Sequence, residues 1–232
     1  MPRLARVDVG NEIYHVINRA NGRLKIFDSS QDYQLFEQLL LEAQELTDMR
    51  ILAYVIMPNH WHLLLWPMND GDLAQFMHRL SNTHTRRMHT ATGTIGNGHL
   101  YQGRYKSFLV DSNNYLLTII KYIERNPVRA RLSNACEEWQ WGSAWRRSQG
   151  TSKQKKLIHP SPEPLPHPYL KWINTAEKPN DLSIIRASVN KNIPFGRDSW
   201  VDTMISTYHL ETTKRGVGRP RKNQNTHSSK ES

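Results

Sequence analysis

The sequence predicts an α+β protein of ferredoxin-like, split βαβ type, with a central antiparallel sheet and a C-terminal extension. Three observations carry this. Strand-like and helix-like runs succeed one another in the order β-α-β-β-α-β. Two of the strands meet directly at Pro58 and Asn59, as a hairpin requires. Beyond Trp145 the composition changes, so the βαββαβ unit and the C-terminal residues are read as separate regions.

Residues 12–19 are rich in β-forming side chains and open the chain as a strand. Asp28, Ser29 and Ser30 then supply helix-start chemistry, and Ser29 with Asp32 resembles a capping box. Phe36, Leu39, Leu40, Ala43 and Leu46 recur at helical spacing, which predicts a helix over 30–46 with one buried stripe. The apolar run 50–58 and the run 60–67 each end in proline and form the hairpin. Asp72 opens a second helix whose buried face is Leu73, Phe76, Met77, Leu80 and His84, fraying toward Gly93, Gly96 and Gly98. Residues 105–111 make a fourth strand, and Ser112 is expected to cap a third helix over about 113–125. Helices are expected on one face of the sheet.

Residues 1–145 thus form the first domain, and 146–168 a basic, proline-rich linker. In the linker, Pro160, Pro162, Pro164, Pro166 and Pro168 occupy every second position and favour an extended path. Residues 169–210 form a small region with Trp172, Ile173, Leu182, Ile185, Ile193, Phe195 and Trp200 as core candidates, expected to dock on the first domain or to fold weakly. Residues 211–232 carry no apolar pattern and are expected to be disordered.

The 232 residues carry 31 Lys and Arg against 21 Asp and Glu, a formal net charge of +10. Such an excess points to a polyanionic partner, nucleic acid ahead of an anionic membrane surface. No apolar run is long enough for a transmembrane helix and no secretory leader is evident, so a cytoplasmic, nucleoid-associated protein is expected. Cys136 is the single cysteine and lies beside Glu137 and Glu138. Neighbouring carboxylates disfavour a thiolate, so Cys136 reads as structural.

His60 and His62 are the first candidate site residues. At i and i+2 of a strand their side chains share a face and can converge on one divalent ion, while Trp61 points to the other face. A lone His-x-His is also common on half-buried strands, and two ligands leave a coordination sphere incomplete. Tyr115, near the start of the third helix, is the second candidate, although periodicity does not single it out among nine tyrosines. Arg19, Arg79, Arg86, Arg87, Arg104, Lys106, Lys121, Arg125 and Arg129 are candidate DNA contacts, interleaved with Tyr101, Tyr105 and Tyr122. Cations for phosphates and aromatic platforms for bases suit single-stranded nucleic acid. The tail contributes Arg219, Arg221 and Lys222 in a Gly-Arg-Pro-Arg-Lys run, which reads equally as an AT-hook-like element or a nonspecific phosphate-binding arm.

Four segments in order, YHVINRANGRLKIF (14–27), AYVIMPNHWHLLL (53–65), HLYQGRYKS (99–107) and YIERNPVRARL (122–132), resemble the REP-associated tyrosine transposases. That group is a branch of the single-tyrosine HUH transposases, and the resemblance covers about residues 10–145. It implies the HUH form of the ferredoxin-like fold, with His60 and His62 holding Mg²⁺ or Mn²⁺ and Tyr115 as nucleophile. It also implies a monomer that cleaves and rejoins single strands at REP palindromes, folded as hairpins with a 5′ guide tetranucleotide. One departure stands out. The related transposases place a third, polar metal ligand one turn after the tyrosine, and counted from Tyr115 that position is Ile119.

Other readings compete with this one. A DNA-hairpin-binding protein without catalysis fits the basicity and the missing third ligand. A rolling-circle nickase shares the histidine pair, but no helicase or nucleotide-binding signature accompanies it. An RNA-directed enzyme on the same scaffold has nothing in its favour.

Overall fold

The computed structural model describes residues 6–96 and 98–214. Four strands, β1 (Ile13–Arg19), β2 (Arg50–Met57), β3 (His60–Trp66) and β4 (Lys106–Val110), form one sheet in the order β2-β3-β1-β4. Every neighbouring pair is antiparallel. This is the split βαβ arrangement: β3 and β1 fill the middle, and β4 forms the edge beside β1.

Helix α1 (Ser30–Thr47) begins at the expected capping box, with Ser29 and Asp32 exchanging hydrogen bonds. Helix α2 (Asp72–Thr92) ends at Gly93, whose φ of 65° places it in the left-handed region that glycine reaches at no steric cost. Both helices pack on the same face of the sheet, where Trp61, Leu63 and Leu65 meet Phe36, Leu40, Phe76 and Leu80.

Helix α3 (Asn114–Glu124) differs from expectation in two ways. It covers the opposite face, where Leu64, Val55 and Phe108 meet Leu116, Ile119, Ile120 and Ile123. The sheet is therefore covered on both sides. The cap expected of Ser112 is not made either. The helix starts after Asn113, no side chain caps it, and the Ser112 hydroxyl accepts from the Asn113 side-chain amide instead.

The chain beyond α3 is helical: α4 (Asn126–Arg129), α5 (Ser143–Gln149), α6 (Ser152–Lys155), α7 (Tyr169–Asn174), α8 (Pro179–Lys191) and α9 (Asp198–Thr207). Leu157 enters the core beneath α1, and the His159 amide donates to the Ile51 carbonyl at 2.8 Å. Ile185 and Phe195 join the core under α3. Phe195 also forms a parallel bridge to Val110, its amide donating to Leu109 O and its carbonyl accepting from the Asp111 amide, both at 2.8 Å. Residues 157–195 therefore lie against the βαββαβ unit, tied to its sheet at both outer strands. Cys136 is 1% exposed against Ile173 and Ala144, and burial pushes its thiol up to about 12.

Candidate active site

Antiparallel pairing of β1 with β3 sets Ile17 opposite His62 and Arg19 opposite His60. The histidines thus face α3, while Trp61 faces α1 and α2, where its indole donates to the Tyr101 hydroxyl at 3.0 Å. The His60 and His62 rings lie 5.2 Å apart, at 78° to one another.

Each ring has one nitrogen engaged. His60 Nδ1 lies 2.7 Å from the Asn59 side-chain oxygen, and His62 Nδ1 lies 2.8 Å from Nε2 of His15. His15 is fully buried on β1, stacked on His62 with ring centroids 5.0 Å apart. Burial holds all three imidazoles neutral: it lowers His15 to about 3, lowers His60 to about 3 with help from Arg19, and depresses His62 well below its ordinary value. Neutral rings oriented through Nδ1 are suited to hold a divalent ion through Nε2. Among the described residues, no three His, Cys, Asp or Glu side chains gather into a metal-holding cluster.

Tyr115 does not reach this pair. It lies in the first turn of α3, packed on Phe195 with ring centroids 5.3 Å apart. The tyrosine beside the histidines is Tyr122, seven residues later. Its ring stands edge-on to His62 at 5.8 Å and to His15 at 6.0 Å. Seven residues return to nearly the same helix face about 10.5 Å further along. Both tyrosines therefore lie on nearly the same side of α3, Tyr115 against Phe195 and Tyr122 against the histidines. Ile119 between them is wholly buried in the core.

The predicted cations separate into groups. Arg19, Arg104 and Lys106 line one cavity of about 450 Å³, together with Asn18 and Gln102. Arg79, Arg86 and Arg87 are exposed on α2, and Arg87 reaches Glu42 at 3.7 Å. Lys121 lies 5.5 Å from the Trp172 ring centroid. Arg125 and Arg129 are both paired with Glu177. Arg219, Arg221 and Lys222 lie outside the described residues.

Sequence reasoning named Tyr122 only as an aromatic platform beside the candidate DNA contacts, and did not name His15. A signal existed for each. His15 alternates onto the same strand face as Ile17, and Tyr122 opens the family-like segment 122–132.

The four-stranded antiparallel sheet thus carries a His-hydrophobic-His pair on an inner strand and a tyrosine beside it on the helix that covers that face. The model of the IS200-like transposases matches residues 8–126, slightly more than half of the chain, and the chain belongs to that transposase family. Among solved structures, a REP-associated tyrosine transposase bound to a REP hairpin is similar at a TM-score of 0.51 and 15% identity, over 77% of this chain and 93% of that one. The crystal structure of "a putative transposase" from Deinococcus radiodurans R1 is similar at a TM-score of 0.38 and 23% identity, over 54% of this chain and 97% of that one. No curated protein matches the chain in sequence. Among the described residues no helix is long and apolar enough to cross a membrane.

Proposed function

We propose that the protein cleaves and rejoins single-stranded DNA beside hairpins, with Tyr122 as nucleophile and His60 and His62 as ligands of Mg²⁺ or Mn²⁺. The observation that carries this reading is the edge contact of Tyr122 with His62, 5.8 Å between centroids, where His60 is the adjacent ring. Tyr115, the sequence-based expectation for the nucleophile, sits two helical turns away against Phe195.

Moving the nucleophile to Tyr122 also resolves the departure at Ile119. One turn after Tyr122 comes Asn126, a residue able to offer an amide oxygen to a metal. We assign it as the third ligand. An ion held by His60, His62 and Asn126 would supply a Lewis acid for the scissile phosphate.

The remaining chemistry belongs to the chain. Tyr122 Oη attacks phosphorus, loses its proton, and displaces the 3′ oxygen, which leaves as a hydroxyl. A 5′-phosphotyrosine results. One phosphodiester has replaced another, so a second 3′-hydroxyl can attack and reseal the strand without ATP. Arg19, opposite His60, and Arg104 and Lys106 in the adjoining cavity place cations where the flanking phosphates would run. Arg79, Arg86 and Lys121 remain candidate contacts to a hairpin stem. The REP hairpin held by the similar solved structure supports a folded palindrome as the substrate class.

A trapping assay tests the reading. A hairpin oligonucleotide with a 5′ single-stranded extension, labelled at its 3′ end, is incubated with the protein and Mn²⁺ or EDTA. A label that migrates at protein size on a denaturing gel with Mn²⁺, and not with EDTA, is the expected result. Hairpin binding with no covalent product would favour a DNA-binding protein without catalysis.

A further inference from the structure

The helical turn that carries Tyr122 is tied on one side to residues outside the family match. Arg129, at the end of α4, donates to the Tyr122 carbonyl at 2.6 Å. Its guanidinium carbon lies 4.3 Å from the Tyr122 ring centroid, a cation–π distance. The same guanidinium is fixed by Glu177, between α7 and α8. Glu177 also accepts from Arg125 Nε at 2.7 Å, and Arg125 donates to the Ile173 and Asn174 carbonyls at 3.2 and 2.6 Å. The Glu177 side chain is only 4% exposed. On the far side of the turn, Glu124 is equally enclosed, accepting from Ser143 at 2.6 Å and from Tyr169 at 2.7 Å.

A carboxylate buried against two guanidiniums is an expensive way to gain stability, because all three charges leave water. It is an effective way to fix geometry. The planar guanidinium of Arg129 meets three demands at once, the carboxylate, the carbonyl and the ring face, and Lys could not meet them together.

We infer that Glu177 and Arg129 are positioning residues for the transesterification, Glu177 holding Arg129 so that Arg129 fixes the ring and backbone of Tyr122 beside His62. The inference rests on Tyr122 being the nucleophile. It gives the helical region beyond residue 126 a part in the chemistry, as the support of the attacking group.

The test uses the full chain, Mn²⁺ and the same hairpin oligonucleotide, with two readouts: the single-turnover rate of adduct formation at saturating DNA, and the Kd for the hairpin. Glu177→Gln should slow the adduct at least tenfold while Kd stays within about threefold or tightens, since two arginines lose their counter-charge. Glu177→Asp should recover part of the rate. Combining Glu177→Gln with Arg129→Ala should cost no more than the worse single change, because the two act as one unit. If Glu177→Gln does not fold, Arg129→Lys decides, with the same tenfold loss expected. A wild-type rate in the folded variant, or a rate lost only in proportion to DNA affinity, overturns the inference and leaves the nucleophile assignment standing. An adduct that persists in Tyr122→Phe overturns both.

Discussion

Tyr122 and His62 meet edge to face across the α3 side of the sheet, 5.8 Å between ring centres, although one lies near the end of a helix and the other in mid-strand. Nothing local brings them together. The contact depends on β3 lying inside the sheet and on α3 crossing it, and it places a phenol beside the imidazole pair.

The histidine pair should be needed for chemistry more than for DNA affinity. His60→Ala and His62→Ala are each expected to lower the single-turnover rate by about 10²–10³, the scale of losing one stabilising group in a transition state. Hairpin binding in EDTA should be unchanged. His15→Phe removes the partner of His62 Nδ1 and should raise the Mn²⁺ concentration for half-maximal rate by about 10–100-fold. Titrating Mn²⁺ against rate for the three variants checks both statements.

Tyr115 is expected to matter for stability. Its ring packs on Phe195, the residue that extends the sheet beyond β4. Tyr115→Phe should keep that contact and the wild-type rate. Tyr115→Ala should cost about 1–3 kcal/mol in urea unfolding, below the range for a fully buried ring because Tyr115 is only partly buried.

The course of the chain from β1 to α3 was legible in the sequence because each segment repeats one period. Ser29 with Asp32 marked a helix start, and Pro58 with Asn59 marked the hairpin turn. The site was half legible. His60 and His62 are two residues apart on one strand, so alternation alone placed them on a common face. The tyrosine was not decided this way. Tyr115 and Tyr122 share a helix face, and only the crossing of α3 over the sheet distinguishes them. His15 was hidden for a related reason, since its contact with His62 exists only once β1 pairs with β3. Glu177 was beyond reach, because its two arginines lie about fifty residues away and meet it through tertiary packing.

The cavity cations should act through phosphate charge. Arg19→Ala, Arg104→Ala and Lys106→Ala should each weaken hairpin binding and lower the slope of log affinity against log salt by about 0.7 for a single-stranded contact. Titrations of labelled hairpin at several salt concentrations measure this. An unchanged slope in all three would place the DNA elsewhere.

Acid should destabilise the fold through its buried imidazoles. His84, on the face away from the site, is fully buried, bonded to the Tyr101 hydroxyl at 2.7 Å, and lowered by burial to about 3. In the unfolded chain it takes up a proton near 6.5, whereas the folded form resists until about 3. Its contribution is therefore intact above about 6.5 and declines as pH falls toward about 3, by at most about 1.4 kcal/mol per pH unit. Urea unfolding at about pH 7 and about pH 5, on either side of the ordinary histidine value, should show the loss, and His84→Phe should reduce the difference between the two.

The central claim is that Tyr122 attacks the DNA. The most direct measurement digests the trapped protein–DNA adduct with protease and nuclease, then locates the nucleotide-bearing peptide by mass spectrometry. The account predicts the modification on Tyr122, with wild-type yield in Tyr115→Phe and none in Tyr122→Phe. A nucleotide on Tyr115, or an adduct that survives Tyr122→Phe, would contradict it.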